Sequence, residues 1–166
     1  PGEVLFASVT KGRELRAAGR VLADTTQLRR VIDLPKDLDE VPIEYRRVVE
    51  AFLKSARGAG VHRGYIARHR KAWWSGGLYP AAPILATYMA RRPPSFVRNL
   101  GEARHINIAH GIYPREHMSD KKLTALAEHL ATHTSLADGR TYAGGLTKFE
   151  PKEMERLLVP APEMLS

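Results

Sequence analysis

Between Gly64 and Ile108 the chain is cut into short apolar runs separated by turn residues, and this punctuation limits the possible fold more than any other feature. Residues 64–70 read as one strand. Residues 84–89 are apolar enough for a central strand, with Pro83 at its first position, where no ladder N–H is required. Phe96-Val97-Arg98 and His105-Ile106-Asn107-Ile108 read as two more, set apart by turn signals at Arg92-Pro93-Pro94-Ser95 and Asn99-Leu100-Gly101. Runs this short at this spacing predict an antiparallel or mixed sheet.

Helical periodicity lies on either side. After a short strand over residues 3–10, residues 13–33 alternate charged and apolar positions as two short helices. Leu15, Ala18, Val21, Leu22, Leu28 and Ile32 face inward, and Asp24-Thr25-Thr26 provides a cap between them. Pro35 stops this run. A helix over residues 43–56 follows, with Val48, Val49, Phe52 and Leu53 on one face, and Gly58 and Gly60 end it. Beyond Pro114, Ser119 or Asp120 caps a helix burying Leu123, Leu126, Ala127, Leu130, Ala131 and Ala137, which Gly139 closes. Residues 140–145 form a glycine-containing loop, and Pro151 starts a last helix through Leu158. The expected class is α+β: a small mixed or antiparallel sheet, residues about 62–113, flanked by N-terminal and C-terminal helices. One domain fits 166 residues. It divides into a mainly helical connector (1–60), a basic strand-rich part (61–118), and C-terminal helices with a Gly-Gly loop (119–166).

The chain lacks cysteine, which excludes disulfides and thiolate metal sites. It has no apolar run of membrane-spanning length and no secretory signal, so a soluble cytoplasmic module is expected. Its start at Pro1 rather than Met suggests a piece of a longer protein.

Charge gives the first functional indication. Ten of the twenty-six Lys and Arg residues lie between Arg57 and Arg115, beside a single acid, Glu102. The same stretch holds both tryptophans, with Tyr65, Tyr79, Tyr88, Phe96 and Tyr113. Cations segregated on one block and interleaved with flat rings suit a polyanion with stackable bases. A merely solubilising excess has no reason to avoid both ends of the chain. Arg68-His69-Arg70-Lys71-Ala72-Trp73-Trp74 concentrates three cations and two indoles; on a strand, Arg68 and Arg70 would share a face. One of the two indoles is expected in the core. Arg140 to Lys148 brackets a glycine pair, which permits close backbone approach to a ligand.

Three patterns imitate catalysis and fail on chemistry. His129 and His133 have zinc-chelating spacing, but Leu130 occupies the place of the metalloprotease glutamate. Asp138 with Glu150-Pro151-Lys152 imitates a nuclease acid pair, yet Pro151 would remove a ladder donor from the strand that chemistry needs. Arg92-Pro93-Pro94-Ser95 is similar to the Asn-Pro-Pro-aromatic loop of amino-methyltransferases. Arginine only donates hydrogen bonds and cannot accept them from the attacked amine, and serine offers no stacking face. No catalytic and no metal-ligating residue is assigned.

The order of Trp73-Trp74, Pro83-Ile84-Leu85, Phe96-Val97-Arg98-Asn99, Asn107, His110-Gly111, residues 140–151 and Leu157-Leu158-Val159-Pro160 resembles a known family. It is similar to the C-terminal target-recognition region of adenine-specific DNA methyltransferases of restriction–modification type. That region ends in an aromatic or serine, a glycine run, a Lys-hydrophobe-Glu-Pro step and a short helix closing in Val-Pro. The resemblance covers residues 62–160, and Ala143 departs from the glycine run. It implies duplex DNA as partner, and a separate N-terminal catalytic domain that binds S-adenosylmethionine and carries the reaction. This chain alone is then not catalytic and holds no cofactor. The DNA-binding set implied is Arg68, Arg70, Lys71, Trp74, Arg91, Arg92, Arg98, Asn99, Arg104, His105, Asn107, His110, Arg140, Tyr142, Gly144, Gly145 and Lys148. The asparagines and histidines would read an adenine edge or bond a phosphate. The alternative is a non-catalytic basic module that binds protein or RNA.

Overall fold

The computed structural model describes residues 4–165; Glu3, the expected first strand residue, lies outside them. In chain order the elements are β1 (Leu5–Val9), α1 (Gly12–Ala18), β2 (Val21–Leu22), β3 (Arg29–Ile32), α2 (Ile43–Gly58) and α3 (Tyr65–Arg68). The strands β4 (Ile84–Thr87), β5 (Met89–Ala90), β6 (Phe96–Asn99), β7 (Arg104–His105) and β8 (Ala109–Ile112) follow. Then come α4 (Asp120–His133), β9 (Arg140–Tyr142), β10 (Leu146–Lys148) and α5 (Pro151–Glu155). The fold is α+β, with small mixed and antiparallel sheets. Among the described residues no helix is long and apolar enough to cross a membrane.

The chain divides into two compact units. Unit 1 is Pro1–Phe6 with Arg30–Leu78, and unit 2 is Ala7–Arg29 with Tyr79–Ser166. Residues 1–60 therefore contribute to both.

Unit 2 is built on a four-stranded sheet ordered β2-β6-β4-β8. β4 runs antiparallel to β6 and β8, and β2 lies parallel to β6. All four residues of β4 are buried, because both faces of the sheet are covered. Leu85 and Val97 pack with Leu15 of α1 on one side. Ile84, Ala86 and Phe96 pack with Leu126, Ala127 and Leu130 of α4 on the other. The alternation of Ile84 and Leu85 between two cores follows from the two-residue strand period. Ser119 caps α4 by accepting from the Lys122 N–H, and Glu14 returns to the Thr10 and Lys11 N–H groups to fix the start of α1. Also in unit 2, Ser8 and Val9 pair in parallel with Arg104 and His105.

In unit 1, β3 lies beside β1. The Asp33 N–H donates to the Val4 carbonyl at 2.9 Å. The Asp33 carboxylate accepts from the Gly77 and Leu78 N–H groups. The core joins Val4, Leu34, Val41, Val49 and Leu53, with Trp73 and Trp74 packed against it.

Several expectations are corrected. Residues 64–70 hold the short helix α3 rather than a strand, so Arg68 and Arg70 share no strand face. The second helix expected in residues 13–33 is replaced by β2 and β3, and Val21 and Ile32 are exposed. Only Val49 and Leu53 of the expected α2 stripe are buried, while Val48 and Phe52 face solvent. The helix after Ser119 ends at His133, leaving Ala137 exposed in a separate 3-10 turn. Residues 140–145 are not a plain loop but half of a hairpin. The last helix stops at Glu155.

Candidate nucleic-acid interface

The ten cations of the basic block are divided between the units. Arg57, Arg63, Arg68, Arg70 and Lys71 belong to unit 1, and Arg91, Arg92, Arg98, Arg104 and Arg115 to unit 2.

The most exposed organised set in unit 2 is a three-stranded sheet ordered β5-β10-β9. Its register places Lys148 opposite Arg140 and Leu146 opposite Tyr142, and Met89 pairs with Lys148 on the other side. Directly paired residues share a face, so Arg140, Tyr142, Lys148 and Met89 project together. The opposite face carries Thr147, which is buried. The turn of β9 into β10 needs two consecutive left-handed residues, Gly144 at φ 78° and Gly145 at φ 72°, a geometry other residues adopt only with strain. Nothing lies within 4 Å of either α-carbon's missing substituent, so the tip is open to an approaching surface.

Two cations facing each other across a ladder destabilise it, and the surrounding groups offset this. Glu153 Oε1 accepts from Arg140 Nη2 at 3.1 Å, and this carboxylate holds the guanidinium above its ordinary range. The Tyr142 hydroxyl donates to Glu150 at 3.1 Å. Lys148 Nζ sits 4.5 Å from the Tyr142 ring centroid, a cation–π geometry. Arg91 and Arg92 follow β5 directly and are exposed. Sequence reasoning missed Met89, Glu150 and Glu153 as partners of this face; the Lys-Phe-Glu-Pro step contained Glu150 without showing that Tyr142 donates to it.

Arg98 and Asn99 leave the interface. Arg98 is 3% exposed and donates from Nη1 to the Pro83 carbonyl and from Nη2 to Asp120. Asn99 is 6% exposed; its amide donates to the Ala82 and Ala103 carbonyls and its oxygen accepts from the Ala103 N–H. Both sit on a strand covered on two faces, so neither is available to a ligand. His110 is half-buried: its Nε2–H donates to the Phe149 carbonyl at 2.6 Å, and its ring meets Tyr88 edge-on. That contact ties β8 to the end of β10. His105 is half-buried as well, and burial, aided by the nearby His110, pushes its pKa below the usual imidazole value. Asn107 is exposed in the turn before β8. Arg104 donates to the Tyr79 carbonyl at 2.7 Å. Tyr113, whose hydroxyl donates to the Pro80 carbonyl, has its phenol pKa raised by burial, against the influence of Arg104. Tyr79 and Tyr113, both exposed beside Arg104, were counted among the rings of the basic block but not placed in the binding set.

In unit 1 Arg63, Arg68, His69, Arg70 and Lys71 are exposed around α3. Arg70 donates to the Ser75 carbonyl at 2.6 Å, which orders the turn before the indoles. Trp74 is half-buried, donates to the Pro35 carbonyl at 3.0 Å and meets Trp73 edge-on. The imidazoles of His129 and His133 stack on each other at 4.1 Å, and no His, Asp or Glu group able to hold a metal ion occurs among the described residues.

Residues 20–166 match the family model described as the C-terminal domain of the Type II methyltransferase M.Eco57I. The chain belongs to this family. As a member of the M.Eco57I C-terminal domain family it is also similar to the Type II methyltransferase M.XamI of Xanthomonas campestris pv. amaranthicola. The two are 53% identical over 165 residues, which cover 99% of this chain and 31% of M.XamI. The chain thus spans about a third of that relative. No solved structure matches.

Proposed function

We propose that this C-terminal methyltransferase domain grips and reads duplex DNA for an adenine-specific, S-adenosylmethionine-dependent methyltransferase whose reaction is carried out elsewhere in the protein. One observation carries the reading. The β5-β10-β9 face sets Arg140 against Lys148, adds Tyr142 and an open Gly144-Gly145 tip, and leads into exposed Arg91-Arg92. β5 pairs with Thr147 and Lys148 alone, so the tip of the β9–β10 hairpin, residues 142–146, is two-stranded, an element the major groove can admit. Its lysine and arginines suit phosphates, and Tyr142 offers a flat face. Adenine specificity rests on the resemblance of residues 62–160 alone. The glycine pair here closes a hairpin rather than a strand-to-helix turn, so the cofactor is assigned to the part of the protein outside this chain, which this reading makes the domain's partner.

The test is duplex binding as a function of salt. Five or more phosphate contacts give log affinity against log salt a slope of about −4 or steeper. Lys148→Gln is expected to shift that slope toward zero by about one unit, uniformly across sequences. A shallow slope, or a preference for single-stranded RNA over duplex DNA, would overturn the reading.

A further inference from the structure

Unit 1 contains a second constellation that this interface does not use. A cleft of about 320 Å³ is lined by Leu38, Leu53, Trp73 and Trp74, with Glu50, Lys54 and Arg57 around it. Its volume lies at the lower end of the ~300–1,000 Å³ range of small-ligand sites, and its make-up is theirs: apolar and aromatic walls with few polar groups. Glu50, Lys54 and Arg57 follow one another at helical spacing on α2, so they share one side of the helix. Glu50 and Lys54 are four residues apart, yet neither they nor Arg57 enters an ion pair among the described residues. The cations remain available although an acid lies one turn away.

The indoles add direction. Their rings meet edge-on, 5.8 Å between centroids, so a flat ligand can stack on one and abut the other. The Trp74 N–H is committed to the Pro35 carbonyl. The Trp73 N–H is buried and takes no part in the cleft. Taken together, the cleft offers a stacking face, one carboxylate acceptor and two cations.

We infer that the cleft binds a single nucleotide. An aminated base stacks on the indoles and its exocyclic amine donates to Glu50, while the phosphate lies on Lys54 and Arg57. The nucleotide is either free or unpaired within a strand. This site lies wholly in unit 1 and goes beyond the duplex-reading role of the β9–β10 hairpin, so either reading can fail without the other.

Trp73 and Trp74 are the chain's two tryptophans, and both line the cleft, so indole fluorescence of the 166-residue chain reports directly on it. Titration with dAMP is expected to quench saturably, with deoxyadenosine at least tenfold weaker and inorganic phosphate inactive. A duplex carrying one unpaired adenosine, compared with its fully paired counterpart, reads the strand-borne case. Quenching by either dAMP or the bulged duplex alone supports the site and identifies the source. The two cations at the cleft are exposed, so Lys54→Glu with Arg57→Glu retains the fold, checked by circular dichroism, and lowers nucleotide affinity at least tenfold. The inference is overturned if neither probe quenches saturably, or if the doubly reversed variant binds as the wild type does. Quenching by an apolar aromatic compound as strong as that by dAMP would likewise overturn it, since the cleft would then be a generic apolar socket.

Discussion

Replacing Arg98 separates the structural account of this chain from a purely electrostatic one. The arginine stands in the most basic third of the sequence, yet its guanidinium is enclosed between the Pro83 carbonyl and Asp120, the first residue of α4. Arg98→Ala deletes a charge-assisted hydrogen bond to the Pro83 carbonyl, which keeps its bond from the Asn99 N–H, a loss of about 1.5–3 kcal/mol. Two buried methylenes go with it, at roughly 0.8 kcal/mol each. The Asp120 side chain is 91% exposed, so the ion pair itself contributes under ~1 kcal/mol. The buried Nε has no partner, and its removal returns part of the total. The net expectation is about 3 kcal/mol, or a midpoint lowered by roughly 6–12 °C for a chain of this size. Arg98→Met, which keeps the stem, should lose about half as much, and Asp120→Asn under ~1 kcal/mol. Thermal and urea unfolding by circular dichroism measure all three, with duplex affinity recorded below the midpoint. An Arg98→Ala protein that melts with the wild type and loses duplex affinity would refute this reasoning.

Asn99→Ala removes two hydrogen bonds that close the turn to Ala103 and a third to the Ala82 carbonyl and should destabilise unit 2 by on the order of 3 kcal/mol, read as a shift in the urea midpoint. At Gly139 an added Cβ would lie 2.5 Å from Thr147 Cγ2 and 2.9 Å from Phe149 Cε2. Gly139→Ala is therefore expected to cost about 1–3 kcal/mol by overpacking and to weaken duplex binding as β10 shifts; an unchanged melting curve would contradict the packing. His105 has its pKa held below the ordinary value by burial and by His110, so the unfolded chain takes up a proton that the folded chain resists. Stability should then fall as pH drops below about 6.5 and stay level above it. His105→Phe should flatten that slope in unfolding experiments run across the range, with His110 and Arg104 left in place.

Elements with one dominant local signal could be read from the sequence. α4 has a serine cap and a four-residue apolar stripe, and β4 an apolar run after Pro83; both start where the pattern places them, although α4 ends at His133 and the run expected to reach Met89 is divided between β4 and β5. The failures have physical causes. Residues 64–70 alternate apolar and charged positions over a window too short to distinguish period 2 from period 3.6, and the turn over residues 61–63 ending at Gly64 resolves them as a helix. Val21-Leu22 has no strand-like length of its own, and only its parallel partner in β6 makes it one. For the site, charge and glycine spacing pointed to residues 140–148. Arg98 and Asn99 were read as ligand-facing because a basic or amide residue usually lies outside. The covering layers show why they do not: α4 holds Arg98 through Asp120 on one side, and Ala82 and Ala103 hold Asn99 on the other.

The chain order of unit 2 bears on how the molecule is made. Val21 and Leu22 must wait for Arg98 and Asn99, and Ser8 for Arg104, to complete their parallel pairs, and nearly all of unit 1 is synthesised in the interval. Closing such an excursion costs free energy that grows only logarithmically, about 0.6 kcal/mol per doubling of its length. Pairing at this separation is slow, however. The interrupting segment can thus lengthen or shorten with little effect on the final stability of the sheet, whereas the time the emerging chain spends with β2 unpaired is set by how soon β6 leaves the ribosome.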